Sequence, residues 1–449
     1  MVGAFIVVFN VGQTTNAKMR AMNAADAAAY SGALWEARTL NLQAYLNRAM
    51  VANEVAIAQS VSLRSWIDYL KRFVNNINDI TQFIPWIDAV TTAIADALTE
   101  IDAVTQEVLP IAESALRLLN TATSDAEVVV NDAGPIVAAN LASGVASSNN
   151  ATISAGGDAL LLEDAAKWAK FTQTYKKSTD VVPTDGRTRL RQVVLDSRDG
   201  FTQTRNWSLG SPVVQFEFKK QGGTDLLNFD SWKGLDSSQL DTVYIPIKGW
   251  TVKVPIGWGG AQAYSTEKYG YGQNGTGNNW TSIDGKLAVK VSNQSPNAAA
   301  YEGSSSATNF PDYRDISNMN QLPAPAKVAD VHLPFAVEVL INKTTVNTSD
   351  NTSATSMHHP TTVLPDGTVL DHHSNFASGD KGVFALSQAC IRFSRPYGAT
   401  RTGGLEYPSL FNPYWRASLA TISKLDRATA DLPKGIPEAA ILEGTGTCT

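Results

Sequence analysis

Apolar and small residues run along the first seventy-odd positions at helical spacing with almost no interruption. From Met1 to Arg72 there is no proline, and glycine occurs only at Gly3, Gly12 and Gly32. Ala, Leu, Arg, Gln and Met dominate, the residues that lose least on entering a helix. The pattern predicts one helix about 100 Å long at ~1.5 Å per residue. Its start, Met1 to Phe9, is almost wholly apolar. Ala21, Ala25, Ala29, Ala33 and Ala37 recur four apart, beside Ala24, Ala28 and Gly32. Positions i and i+4 share a face, so one side of the rod is nearly flat, and flat faces allow close helix approach. Such a rod suits an assembling, pilin-like subunit. Phe5, Ile6, Val7, Val8 and Phe9 would be buried against neighbouring copies, with Ala21, Ala25, Ala29, Gly32 and Ala33 packing closely beside them. The competing expectation is that the alanine face packs inside its own subunit.

From Leu40 to Phe73 the apolar surface broadens and needs cover from other elements. Pro85 sits where a helix can start, and Trp86 to Leu109 has a helical pattern. Pro110 opens or kinks a further helix to about Asn120, and a third runs from Ser124 to Asn131, before Gly134-Pro135. The rod is mostly basic (Lys18, Arg20, Arg38, Arg48, Arg64, Lys71, Arg72), whereas the following stretch carries ten acidic residues against Arg117 alone. The two should dock antiparallel. Exposed pairs add at most ~1 kcal/mol each, so charge here sets register.

Residues 142–157 are small and polar and read as a linker. A helix from Asp158 to Tyr175, with Asp158 as N-cap, follows. Beyond Thr179 the period changes to two. Val213–Phe218, Thr242–Ile247, Leu287–Val291 and Phe335–Ile341 read as strands, and Tyr414 to about Ala430 as a helix. The expected class is α+β: a long N-terminal pilin-like helix with packed helices, a β-rich domain, and a short C-terminal helix. The corresponding domains are 1–141, a linker at 142–157, a helix and β-rich outer domain at 158–410, and a C-terminal helix and tail at 411–449.

At 449 residues the chain has room for two or three domains. A net charge of −6 argues against nucleic acid, which needs a basic surface. Sparse charge with much Ala, Asn, Ser and Thr suits a surface or secreted protein. Cys390 and Cys448 are the only cysteines, too few for a cysteine zinc site. In an oxidising compartment they would pair and tether the tail, a long loop for which chain entropy gives roughly 4 kcal/mol. The apolar start is shorter than the ~20 residues that cross a bilayer. It is expected either to continue a segment upstream or to be buried against neighbours.

Four of the five histidines flank one hairpin, Met357-His-His-Pro-Thr-Thr-Val-Leu364, Pro-Asp-Gly, Thr368-Val-Leu-Asp-His-His373. Pro365-Asp366-Gly367 favours a type I turn with a bulge. That register sets Leu364 opposite Thr368 and His359 opposite His373, with Asp371 on the same face. Two imidazoles and a carboxylate, His359, His373 and Asp371, could hold a divalent metal; a solvated polar hairpin is the competing reading. Gly257-Trp-Gly-Gly260 and Tyr269-Gly-Tyr-Gly272 carry aromatics that could stack on sugars or anchor the loop to its own domain. Arg187, Arg189 and Arg191 alternate as on a solvated edge strand. No nucleophile elbow, phosphate-binding glycine loop or zincin helix is present, so no catalytic residue is assigned and no enzyme is expected.

The run Phe9-Asn-Val-Gly-Gln-Thr-Thr-Asn-Ala-Lys-Met-Arg20, then Asn23-Ala-Ala-Asp-Ala-Ala-Ala-Tyr-Ser-Gly-Ala33, and the continuation Leu40 to Gln59 resemble the N-terminal region of bacterial TadE/TadG-like proteins of the Flp (tight-adherence) pilus system. The resemblance covers about the first 60 residues. It implies an exported envelope or surface protein that is pilin-like or pilus-associated. Family members carry a longer hydrophobic segment before this point. Larger ones carry a von Willebrand A domain with an Asp-x-Ser-x-Ser motif, which is not found here; Asp236-Ser-Ser-Gln does not fit. The expectation is a structural subunit of an extracellular bacterial filament, partnered by copies of itself or other pilus components. The alternatives are a non-polymerising envelope-tethered or pilus-tip adhesin with a glycan or surface ligand, and a metal-dependent hydrolase at the histidine hairpin.

Overall fold

The computed structural model describes residues 2–82, 85–173, 193–203, 205–210, 216–227, 231–243, 251–264, 332–348, 361–363, 369–371, 382–394 and 410–431. The chain is α+β, opening with helix α1 (Val2–Thr81) and helix α2 (Pro85–Ser148). The expected three short helices are one 64-residue helix. Pro85 opens it, but Pro110 and Pro135 lie in its interior, where each removes a backbone donor. At Pro135 the lost bond is replaced. The Asn131 carbonyl, four residues earlier, accepts instead from Trp168 Nε1 at 3.0 Å.

Two compact units divide the chain: residues 1–45, 127–176 and 321–449 form one, and 46–126 with 177–320 form the other. Each takes a length of both long helices and a sheet of its own. Helices and strands are therefore not segregated into consecutive domains as the composition suggested.

In the first unit, β1 (Thr152–Ile153), β6 (His332–Asn342), β9 (Gly382–Phe393) and β10 (Trp415–Ala420) form an antiparallel sheet in that order. Alternation decides what covers each face. Phe335, Val337, Ser387 and Ala389 face α1: Ser387 donates to Asp26 at 2.6 Å, and the Phe335 ring lies on Gly32. Ala336, Glu338 and Gln388 face helix α3 (Ala155–Gln173) and the C-terminal helix α4 (Lys424–Asp431). Leu160, Ala336 and Ala430 form the core on that side.

The expected linker 142–157 is no linker. Residues 142–148 continue α2, β1 joins the sheet, and α3 begins at Ala155. Its N-cap is Ser154, not Asp158: Ser154 Oγ accepts from the Gly157 N–H at 3.0 Å. Gly156 and Gly157 are small because a Cβ on either would strike the backbone of Ala430 or Glu338. The glycines mark close packing rather than flexibility. The expected helix from Tyr414 is instead β10, paired along its whole length with β9, followed by α4 capped by Ser423. Asn41 of α1 clasps β10, accepting from the Trp415 N–H and donating to its carbonyl, both at 2.9 Å.

In the second unit, β2 (Arg205–Leu209), β3 (Phe216–Leu227), β4 (Ser231–Val243) and β5 (Thr251–Tyr264) form an antiparallel meander. The β4–β5 register shifts at Ser238/Gln239, leaving Ile256 unpaired beside Pro255, where a missing donor is tolerated. Asn76 of α1 takes up the Ile256 carbonyl at 2.7 Å. A Cβ on Gly257 or Gly259 would collide with Tyr69, Phe73 or the Ser65 carbonyl. This glycine run therefore lets β5 lie against α1; it does not form a loop. Trp258 receives Arg72 over its ring at 5.6 Å. The expected strand Leu287–Val291, the other aromatics Tyr269, Tyr271 and Trp280, and Arg187, Arg189 and Arg191 lie outside the described residues.

A separate hairpin pairs β7 (Thr361–Val363) with β8 (Val369–Asp371), Val363 opposite Val369 and Thr361 opposite Asp371. This is the register expected from the turn sequence.

Candidate assembly surfaces

The first turns of α1 are apolar on every side, and the fold leaves them largely uncovered. Phe5 is 72% and Val8 70% exposed; Val7, Phe9 and Val11 are also exposed, and Ile6 is half-buried. Beyond the tip Asn10 is buried, and the buried apolar side chains of the helix begin at Ala17. The expected assembly residues thus separate into two groups. The tip residues Phe5 to Phe9 are available. Ala21, Ala25, Ala29, Ala33 and Gly32 are buried inside their own unit, so the expectation that they pack against a neighbouring copy is corrected. At Gly32 a small residue is needed because the Phe335 ring of the sheet lies on it, and Ser387 of the same sheet donates to Asp26 nearby on α1.

The contact between α1 and α2 is largely polar. Within the second unit, Arg64 pairs with Asp102, and Lys71 reaches the same carboxylate at 3.0 Å. Asn53 donates to Asn120 at 2.8 Å, and Asn120 donates to Glu54 at 3.1 Å. Glu54 also accepts from Trp232 Nε1 at 3.0 Å, which ties β4 to both helices. Rising numbers on α1 meet falling numbers on α2, so the pair is antiparallel, as the charges suggested. In the first unit Gln43 donates to Asn131 at 3.3 Å, beside the buried Glu127 of α2. Most acidic side chains of α2 do not take part. Asp96, Glu100 and Glu107 are exposed. The outer face of α2 is apolar, with Ile111 67% and Leu118 71% exposed. Residues 88–148 include a window long and apolar enough to cross a membrane by length and composition.

Buried charge elsewhere serves packing. Asp164 of α3 accepts from the Ala336 N–H at 2.8 Å and lies 3.4 Å from Lys167 Nζ. Burial pushes its carboxyl up to about 8, against the pull of Lys167 and the Ala336 amide. Glu36 of α1 is raised well above its ordinary value by burial and then by the charge of Asp164. Burial opposes the charge of Lys167, but Asp164, Asp426 and Glu163 outweigh it and hold the ammonium above the usual lysine range. The cluster ties α3 to α4, with Asp426 at 2.8 Å from Lys167. In the second unit Asp236, bonded by Ser65 at 2.9 Å, is raised by burial although Lys220 and Arg205 lower it. Lys233 is pulled down to about 8 by burial. These polar burials on β4 had no signal in the sequence, because Ser231–Val243 shows no apolar alternation.

The candidate metal residues are only partly placed. Asp371 ends β8 opposite Thr361, while His359 and His373 lie outside the described residues. Among the described residues no group of three or more His, Cys, Asp or Glu could hold a metal. Cys390 is buried on β9 opposite Pro334 and Ser418, and Cys448 lies outside the described residues.

A family model described as "Putative Flp pilus-assembly TadE/G-like" matches residues 1–36. No curated protein and no solved structure matches the chain. The matched stretch holds the exposed tip and most of the buried alanine face. Over this N-terminal stretch the chain is TadE/TadG-like.

Proposed function

We propose that this chain is a structural subunit of an extracellular bacterial filament of the Flp pilus type, assembling through the apolar end of α1. One observation carries the reading: large side chains at the tip, Phe5 and Val8 foremost, are left in water, whereas Asn10 and, from Ala17 onward, the alanine face of the same helix are buried. Exposed apolar clusters mark contact sites, and the matched family is named for pilus assembly. Burying each large side chain contributes on the order of 2 kcal/mol, and a head-to-tail contact that does not close propagates as a filament. The partners are copies of this chain or other pilus components, and the site is the cell surface. A structural rather than enzymatic role accords with the buried charged groups, which join elements to one another. In an oxidising envelope Cys390 pairs with Cys448 and holds the tail to the α3/α4 face of the first sheet.

The experiment is electron microscopy and sedimentation of material shed from cells, for the parent and for Phe5→Ser/Val8→Ser. Uniform filaments of the parent, lost in the variant with no change in melting temperature, support the subunit. Isolated particles bound to envelope or to pilus ends identify the adhesin instead. Metal analysis of the purified protein tests the hydrolase reading at His359, Asp371 and His373.

A further inference from the structure

From the outer face of α2 we infer a second self-contact: a parallel, in-register coiled coil between the α2 helices of two copies. The exposed positions alternate by four and three without a break from 90 to 122. The a positions are Ile94, Ile101, Val108, Ala115 and Ala122. The d positions are Val90, Ala97, Val104, Ile111 and Leu118. All ten are exposed. The opposite face of the same helix is polar and buried, through Asp102, Glu113 and Asn120. For a helix in a solitary protein this is inside out. An ideal helix drifts by about 20° per heptad against a strict seven-residue repeat. A seam that keeps the repeat for more than four heptads therefore matches another helix, whereas a lipid surface sets no such period.

Charge fixes the orientation. The g positions include Glu100 and Glu107, while the e positions, Thr91, Leu98, Thr105, Ala112 and Leu119, carry no charge. A parallel pair places g beside e of the next heptad, so Glu100 meets Thr105 and Glu107 meets Ala112 of the second copy. An antiparallel pair places g against g and sets glutamate against glutamate. The seam is about 48 Å long and a helix about 10 Å wide, roughly 500 Å² per copy and about 1,000 Å² in all, which reaches the lower bound of a specific interface. It ends where Asp125 takes the next d position.

This contact does not depend on the helix tip, so the test uses the full chain carrying Phe5→Ser/Val8→Ser. Ile94→Cys and Ala122→Cys are each added separately and oxidised mildly, and dimers are read on non-reducing gels against the Cys390/Cys448 parent. Each variant alone is expected to give a covalent dimer. Adding Ile111→Glu/Leu118→Glu should suppress it and weaken self-association by at least about tenfold, with the melting temperature unchanged. Absence of cross-linking above the parent overturns the inference. So does cross-linking found only when the two cysteine variants are mixed, which marks an antiparallel pair. Flotation with phosphatidylglycerol vesicles that is lost in Ile111→Glu/Leu118→Glu, without any dimer, gives the face to lipid and likewise overturns it.

Discussion

Asp164 shows how one buried carboxyl makes a fold sensitive to pH. Its folded value of about 8 lies above the ordinary aspartate value, so the native state binds a proton that the unfolded chain has released. Stability is then fully present below about pH 4 and falls as pH rises toward 8, with a slope of about 1.4 kcal/mol per pH unit for one proton. Urea unfolding of the first unit across this range should show the loss. Asp164→Asn, which keeps an acceptor for the Ala336 N–H, should reduce the slope and leave the part due to the likewise raised Glu36, and an unchanged slope would exclude Asp164 as a source. Gly32 makes a steric case at the same scale. Alanine has the higher helix propensity, by about 0.8–1.0 kcal/mol, yet a Cβ here meets the Phe335 ring. Gly32→Val should destabilise by roughly 1–3 kcal/mol in denaturant melts, while the same change at Gly12, where a Cβ has open space, should not.

Among elements, the two long helices show what periodicity can and cannot convey. The length of α1 was legible because nothing in its sequence stops a helix. The length of α2 was not, because Pro110 and Pro135 carry the usual signal for a break. Tertiary partners overrule that signal, as Trp168 does for Asn131. Trp168→Phe should cost about 1–3 kcal/mol by leaving that carbonyl unpaired. Pro135→Ala should recover much of the cost in the double variant, since alanine supplies the missing N–H, and a purely additive double-mutant cycle would refute the exchange. Small residues misled in the opposite sense. Gly156-Gly157 and Gly257–Gly260 read as linker and loop, but local composition cannot distinguish a flexible glycine from one pressed against a neighbouring backbone. Strand β6, with its apolar residues, was visible in the sequence. Strand β4 was hidden because many of its buried side chains are polar, Asp236 accepting from Ser65 of α1 and Asp241 from Lys219 of β3. The turn Pro365-Asp366-Gly367 set the hairpin register correctly through chemistry confined to a few residues.

For the molecule as a whole, the sequence indicated the exposed apolar tip but assigned the alanine face to the wrong partner. The face is flat because the chain's own sheet lies on it, and no local pattern says whose surface will do the covering. Assembly should therefore depend on side chains that contribute nothing to folding. Phe5→Ser/Val8→Ser should leave thermal unfolding unchanged while abolishing sedimentable material; a matching fall in stability would mean that the tip packs within its own subunit.

The clasp of Asn41 on Trp415 bears on how such a protein can grow into a polymer. Its carboxamide takes the outward N–H and C=O of the first β10 residue, the groups an invading strand would seek. At the far edge β1 offers only a two-residue strand. In this sheet a strand from another molecule would find the first β10 position already taken and only a stub at β1, so the first sheet disfavours growth by donated strands.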